Sequence, residues 1–207
     1  MNRTLPSRTI NSRILLCSAL SLLIIAVLGA CAARTTLRTI AADGITHLSP
    51  RLTTTVYSVS DENTLDIFLS DIPPSQLTRE LASSARGGHA APGVLIQLHV
   101  FLMPRAGRTP IEFTASNTTI TQIITTGSSM GIYAGGGFLL PTHSFDNTIF
   151  AGSLQGASLR LVYSQPGFVD RLGSSQMDGA IRAHRDEALA TQLADLVLLL
   201  LAQRESS

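Results

Sequence analysis

The chain has 207 residues and a formal net charge of +1; its fifteen basic residues are all arginine, and it has two cysteines. Without a lysine amine there is no route to a Schiff base, a Ser–Lys dyad or the lysine of a phosphate-binding P-loop. Arg3, Arg8 and Arg13 fall in the first thirteen residues, which leaves twelve arginines against fourteen acids and a charge near −2 on the rest. That remainder lacks the basic face a nucleic-acid partner requires.

A polar, arginine-bearing start is followed by an apolar run from Ile14 to Val27, interrupted only by serines and Cys17. This is a positive n-region and an h-region of secretory length, shorter than the roughly 20 residues that span a bilayer. The run ends in Leu28-Gly29-Ala30-Cys31, which resembles the lipobox of bacterial lipoproteins: an aliphatic residue, two small residues and the modified cysteine. The resemblance implies a signal peptide over residues 1–30, cleavage between Ala30 and Cys31, diacylglycerol on the Cys31 thiol and acylation (palmitate) of the new amino terminus. Several chains suit stable anchoring, since each buried methylene contributes only about 0.8 kcal/mol. With Cys17 in the leader and Cys31 lipidated, no free thiol remains for disulfides, Fe–S ligation or thiol catalysis. The alternative is an uncleaved anchor, because counted through Ala33 the apolar stretch is long enough to span. The residue after Cys31 is Ala32 rather than aspartate, and within the lipoprotein family this implies sorting to the outer rather than the inner membrane.

Residues 31–50, rich in Ala, Thr and Arg without sustained periodicity, read as a lipidated tether. A single domain is expected over 51–207, beginning with β signals at Leu52–Ser60 and at Leu65–Leu69, which Pro73 and Pro74 stop. One or two helical turns are expected at Ser75–Ala85, then a Gly87-Gly88 loop. Val94–Met103 is the clearest strand, with Ile96, Leu98, Val100 and Leu102 on one face and Gln97, His99 and Phe101 on the other. Further runs follow at Thr118–Thr126, Gly131–Leu140, Thr148–Leu154, Ser158–Ser164 and Met177–Ala183. A helix is predicted over about 186–204, opened by Asp186 and Glu187 at the positive end of its dipole, with Leu189, Leu193, Leu196, Val197 and Leu200 on one face. The fold class is mainly β: an antiparallel sandwich or partly closed barrel with one C-terminal helix packed on it.

One segment carries a catalytic spelling. Gly127-Ser128-Ser129-Met130-Gly131 matches the G-x-S-x-G string of serine hydrolases, with His143 or His184 available as base and Asp146 or Asp170 as orienting acid. The residues after Gly131 are β-like rather than helical, and a hairpin loop accounts for the same residues. Gly135-Gly136-Gly137 has neither the lysine nor the helix of a phosphate loop and suits a bulge or a close approach of strands. His47, His89, His99, His143 and His184 show no metal-ligand spacing, so no metal or other cofactor is expected. Asp61-Glu62 suits a turn and Asp186-Glu187 a helix start; His184 and Asp186 could share a hydrogen bond. Asp66 and Asp178 would serve two-carboxylate chemistry only if they faced one another across a cleft, and Asp170-Arg171 reads as a loop ion pair.

The expectation that follows is a non-enzymatic, membrane-anchored envelope lipoprotein: a β domain that binds another envelope protein or supports assembly, with no nucleic-acid partner. Candidate contacts are Phe138, Leu139 and Leu140 on an apolar loop, and Leu198, Leu199 and Leu201 on the C-terminal helix. A carrier of a small apolar ligand such as a lipid, held inside a sandwich or barrel, is the second possibility. A hydrolase using Ser129 is the third.

Overall fold

The structure, a computed structural model, describes residues 34–85, 91–104, 116–142 and 148–205. Ala30, Cys31, His89, His143 and Asp146 therefore lie outside the described residues. Among the described residues nine strands form one sheet: β1 (Thr36–Ala41), β2 (His47–Leu48), β3 (Thr54–Val59), β4 (Leu65–Ser70), β5 (Gly93–Val100), β6 (Thr118–Thr125), β7 (Met130–Pro141), β8 (Ile149–Ser164) and β9 (Ser175–Arg185). The described residues also form two helices, α1 (Pro74–Ala85) and α2 (Glu187–Glu205).

From β3 to β8 the strands follow one another as antiparallel neighbours, and β8 pairs in turn with β9. The circuit is completed by β3, whose Val56 and Tyr57 lie parallel to His184 and Arg185 of β9. This two-residue contact makes the sheet a partly closed ring, the second of the two architectures expected. The β1–β2 hairpin occupies the rest of the same edge of β9, with Thr36 opposite Ala180 and Ala41 opposite Ser175. A nearly closed sheet leaves few unpaired edges, which is how all-β folds limit edge-to-edge association.

Period-two alternation sends every second side chain inward. Val94, Ile96, Leu98 and Val100 of β5 join Tyr57, Ile67, Tyr133, Phe150, Leu154 and Met177 in a core that fills the ring. The opposite face is apolar beneath the helices, where Leu95, Phe68, Ile123 and Ile132 meet Leu77 of α1 and Ala190, Leu193, Val197 and Leu200 of α2. The last four recur at intervals of three, four and three residues, the spacing of one helical face. Asp186 caps that helix: its Oδ1 accepts from the Leu189 amide at 3.0 Å and its carbonyl from the Ala190 amide at 3.0 Å.

Three expectations need correction. Within residues 31–50, read as a tether, Thr36–Ala41 and His47–Leu48 belong to the sheet as a hairpin. Ala41, Thr39 and Leu37 of β1 are buried, and Thr35 Oγ1 donates to the Arg182 carbonyl at 2.6 Å while accepting from its amide at 2.9 Å. Their mixed Thr, Leu, Arg, Ile and Ala composition hid a strand that lies between β2 and β9, the latter about 140 residues away in sequence. The two helical turns at 75–85 are a full twelve-residue helix, supported by Leu77 and its packing on α2. The runs at 148–154 and 158–164 are one sixteen-residue strand, β8, bent at a bulge between Leu154 and Ala157. Gly156 takes φ 55° there and its amide donates to Asp178 Oδ1 at 2.6 Å.

The ring has two ends. At the lower end β1 begins and β3, β5, β7 and β9 finish. At the upper end lie the β1–β2 turn, the β6–β7 connection and the β8–β9 loop.

Candidate functional site

The Gly127–Gly131 segment carries the β6–β7 hairpin at the upper end. Thr125 pairs with Met130, and the Thr126 amide donates to the Ser129 carbonyl at 2.9 Å. Gly127 takes φ 91° in this turn. Ser129 is buried, and its hydroxyl lies 2.8 Å from Thr126 Oγ1 in a shared hydrogen bond. The serine thus sits between two antiparallel strands, not on the strand-to-helix elbow that exposes a hydrolase nucleophile. His184 is exposed at the lower end of β9, opposite Ile149, so the fold does not bring it to Ser129.

The other polar candidates are engaged locally. Asp66 and His99 form a cross-strand pair on β4 and β5, Nδ1 to Oδ1 at 3.0 Å, and Gln97 Nε2 donates to the same oxygen at 3.1 Å. Asp178 holds the β8 bulge. Asp61 Oδ1 accepts from the amides of Asn63 and Thr64, closing the β3–β4 turn. Glu187 accepts from Arg185 Nε at 2.8 Å, and Asp186 serves the helix cap rather than His184. Among the described residues, no group of three His, Cys, Asp or Glu is placed to hold a metal ion.

Asp170 has a role different from either expectation. Its Oδ1 accepts from the Tyr133 hydroxyl and from the amides of Leu172 at 3.1 Å and Gly173 at 2.8 Å. The β8–β9 loop is thereby tied to the ring wall, and Phe168 is laid edge-on against Tyr133, with ring centroids 6.4 Å apart. Gly131 makes room for it, since a Cβ there would overlap the Phe168 ring. Between this loop and the β1–β2 turn lies an open cleft of about 500 Å³, whose apolar lining is Leu48, Ile124, Phe168, Val169 and Leu172 beside Tyr133. Inside the ring, Thr39 Oγ1 donates to Gln122 Oε1 at 3.4 Å.

Burial raises the Tyr133 pKa, and the bond to Asp170 raises it further. For Asp170, burial opposes ionisation, but the Tyr133 hydroxyl and the Gly173 and Leu172 amides outweigh it and hold the carboxyl below its usual range. A carboxylate with a lowered folded-state pKa contributes stability that is fully present above the unfolded value of about 3.9 and is lost as pH falls through the folded one. The urea midpoint of the wild type should therefore exceed that of Asp170→Asn at pH 7, and the gap should close as pH falls below about 4. A gap unchanged down to pH 2 would show that the charge on Asp170 contributes nothing.

The expected contact residues separate sharply. Leu198 and Leu199 are 64% and 51% exposed, on the side of α2 turned away from the sheet. Leu201 is half-buried against the helix–sheet core. Phe138, Leu139 and Leu140 are strand, not loop: they belong to β7, with Leu139 fully buried inside the ring and the other two half-buried. Leu139 is thus withdrawn as a surface contact, because alternation turns it inward. Among the described residues no helix is long and apolar enough to cross a membrane.

The chain matches no family model, no curated protein and no solved structure.

Two features have no counterpart in the sequence reading. The Phe168 cleft draws its lining from four separate segments, which no local pattern reveals. Asn117, 2% exposed, is a buried clamp at the lower end. Its Nδ2 donates to the carbonyls of Leu102 and Leu139 at 3.1 and 2.9 Å, and its Oδ1 accepts from the Leu139 amide at 2.7 Å. A lone asparagine before a Thr-rich strand is a weak cue for a strand-entry turn and carries no hint of this bridge.

Proposed function

We propose that the chain is a membrane-anchored envelope lipoprotein, lipidated on Cys31 and sorted to the outer membrane, whose ring domain is a non-enzymatic module for binding another envelope protein. The observation that carries the binding half of this reading is the outer face of α2. Its inner face is consumed by the sheet and α1, yet Leu198 and Leu199 stand side by side in solvent. Adjacent exposed leucines on an otherwise ordered helix cost solubility and suit an interface whose anchors are apolar.

The test is crosslinking of the full chain in its native membranes, comparing wild type with Leu198→Asp/Leu199→Asp. Both positions are exposed, so the double variant should keep its thermal midpoint to within the small change typical of surface sites. The expected result is loss of at least one crosslinked species. An identical set of adducts, with the variant folded, would remove the proposal.

A second reading, binding of a small apolar ligand, is favoured by the cleft beside Phe168. Side chains fill the inside of the ring, so this cleft, rather than a barrel interior, is where such a ligand would seat. Its volume lies within the roughly 300–1,000 Å³ of small-molecule sites.

A further inference from the structure

Thr35 is fixed to the lower end of the ring through its paired hydrogen bonds with Arg182. Only Ala32, Ala33 and Arg34 separate it from Cys31. Four Cα–Cα steps, even fully extended, reach at most about 14 Å. A lipid on Cys31 therefore holds the lower end close to the bilayer surface, and the same limit applies to an uncleaved anchor ending at Ala33. The upper end lies further from Thr35, at the far end of β1, whose five steps from Thr36 to Ala41 span about 17 Å along the strand.

The lower end carries an apolar pair suited to that position. Phe101 and Leu102, 44% and 45% exposed, follow β5 directly, and the strand register puts Val100 beside Leu65 and Thr118 at this same end. They are held in place rather than frayed. The Phe101 amide donates to the Asn117 carbonyl at 3.1 Å, and the Leu102 carbonyl accepts from Asn117 Nδ2 at 3.1 Å. Asn117 is in turn bonded to Leu139 on β7, so the pair projects from a rigid rim. The upper end also shows apolar tips, Ile45 and Val169, 81% and 68% exposed, so exposure alone does not choose between the ends. The short reach from Cys31 does.

We propose that the lower end of the ring is a membrane-contacting surface, with Phe101 and Leu102 seated in the interface of the same bilayer that holds the anchor. This rests on the anchor reading given above. Charges of both signs share this end, Asp61 and Glu62 on the β3–β4 turn and Arg34, Arg182 and Arg185 beside Thr35 and along the end of β9, so the apolar pair rather than a net charge makes the contact.

The chain has no tryptophan, so one introduced at a chosen site is a sole reporter. Full-length Phe101→Trp, Leu102→Trp and Val169→Trp proteins, purified from membranes, would be reconstituted into phosphatidylcholine vesicles with or without acyl-chain bromines. Intact mass would be recorded for each, beside a Cys31→Ala form. Interfacial apolar groups seat about 5–10 Å into the headgroup–acyl boundary, so bromines should quench Phe101→Trp or Leu102→Trp by roughly half. Val169→Trp should be unaffected by bromine and remain open to acrylamide. Lipidated protein with all three reporters unquenched overturns the proposal while leaving the anchor intact. Quenching of Val169→Trp alone overturns it too, placing the opposite end on the bilayer. A mass without lipid on Cys31 removes the lipoprotein reading by itself. Quenching at Phe101 or Leu102 in that unlipidated chain would still support the membrane-facing end, and its absence would end the proposal as well.

Discussion

Gly135→Ala should destabilise the domain by about 3 kcal/mol or more, among the largest losses open to a single methyl group. Gly135 sits in β7 opposite Leu159 of β8, between register shifts at Ile132/Tyr133 and Gly136/Phe138. A Cβ built there would overlap the Ser158 carbonyl oxygen, with the Ser158 carbonyl carbon 2.8 Å and Leu159 Cα 3.1 Å behind it. These are backbone atoms in a paired strand, not the end of a side chain that can swing away. Relief would mean opening the β7–β8 ladder on which closure of the ring depends. Gly44→Ala is the control: Gly44 takes φ 70° but has nothing within 4 Å of the added carbon. It should lose only the left-handed preference, about 1–2 kcal/mol. Urea unfolding of the full-length proteins in one detergent measures both. Equal midpoints for the two variants would mean that β7 and β8 can part at little cost.

Asn117→Ala is expected to cost about 3 kcal/mol, since each buried polar group left unpaired costs roughly 1–3 kcal/mol. The substitution strips partners from the Leu139 amide and carbonyl and from the Leu102 carbonyl, and leaves the Thr118 hydroxyl, which donates to Asn117 Oδ1 at 3.1 Å, without its acceptor. Leu139 is wholly buried, so water cannot replace the lost bonds without entering the ring. Hydrogen exchange gives a local readout beside the global midpoint: the Leu139 amide should lose protection by more than its neighbours in β7. Ser116→Ala removes the hydroxyl of an exposed residue that donates to the Thr118 and Gly137 carbonyls at 3.1 Å, and should cost distinctly less. Unchanged protection at Leu139 would show that the strands hold position without the clamp.

The strands were legible where one face is buried by the ring and the pattern is local. β5 shows this best: the alternation of Val94, Ile96, Leu98 and Val100 belongs to the segment itself, and so does the 3–4–3 spacing that seats α2. Legibility failed where burial comes from a distant partner. Thr36–Ala41 carries no strong β signature, yet β9 covers it and Thr39 is buried. The bulge in β8 hid one strand as two, because Gln155-Gly156 spells a turn locally while Asp178 across the ladder holds it as a bend. Phe138–Leu140 read both as the end of the strand run Gly131–Leu140 and as an apolar contact loop, and only the strand holds. Position in the ring, not hydrophobicity, decides that Leu139 points inward.

The same division holds for the candidate site. The G-x-S-x-G spelling at 127–131 is a local string, and the hairpin built from it is also a local structure, so the doubt raised by the β-like residues after Gly131 was already present in the sequence. Asp170 is the contrary case. Its partners Tyr133, Leu172 and Gly173 combine a loop with a strand 37 residues earlier, a coupling that only the closed ring creates.

By itself the sequence determined a mainly β domain, its C-terminal helix, the exclusion of lysine chemistry and the resemblance of Leu28–Cys31 to a lipobox. All of these depend on residue identity or on periodicities of two and 3.6, which short segments carry. Tertiary structure alone decided that the ring closes through two residues of β3 and β9 and that Gly135 must lack a side chain. It also decided that Asn117 and Asp170 act as clamps and that Phe101 and Leu102 share an end with Thr35. Each of those depends on which backbone lies opposite which, and strand partners far apart in sequence leave no periodic trace in either segment.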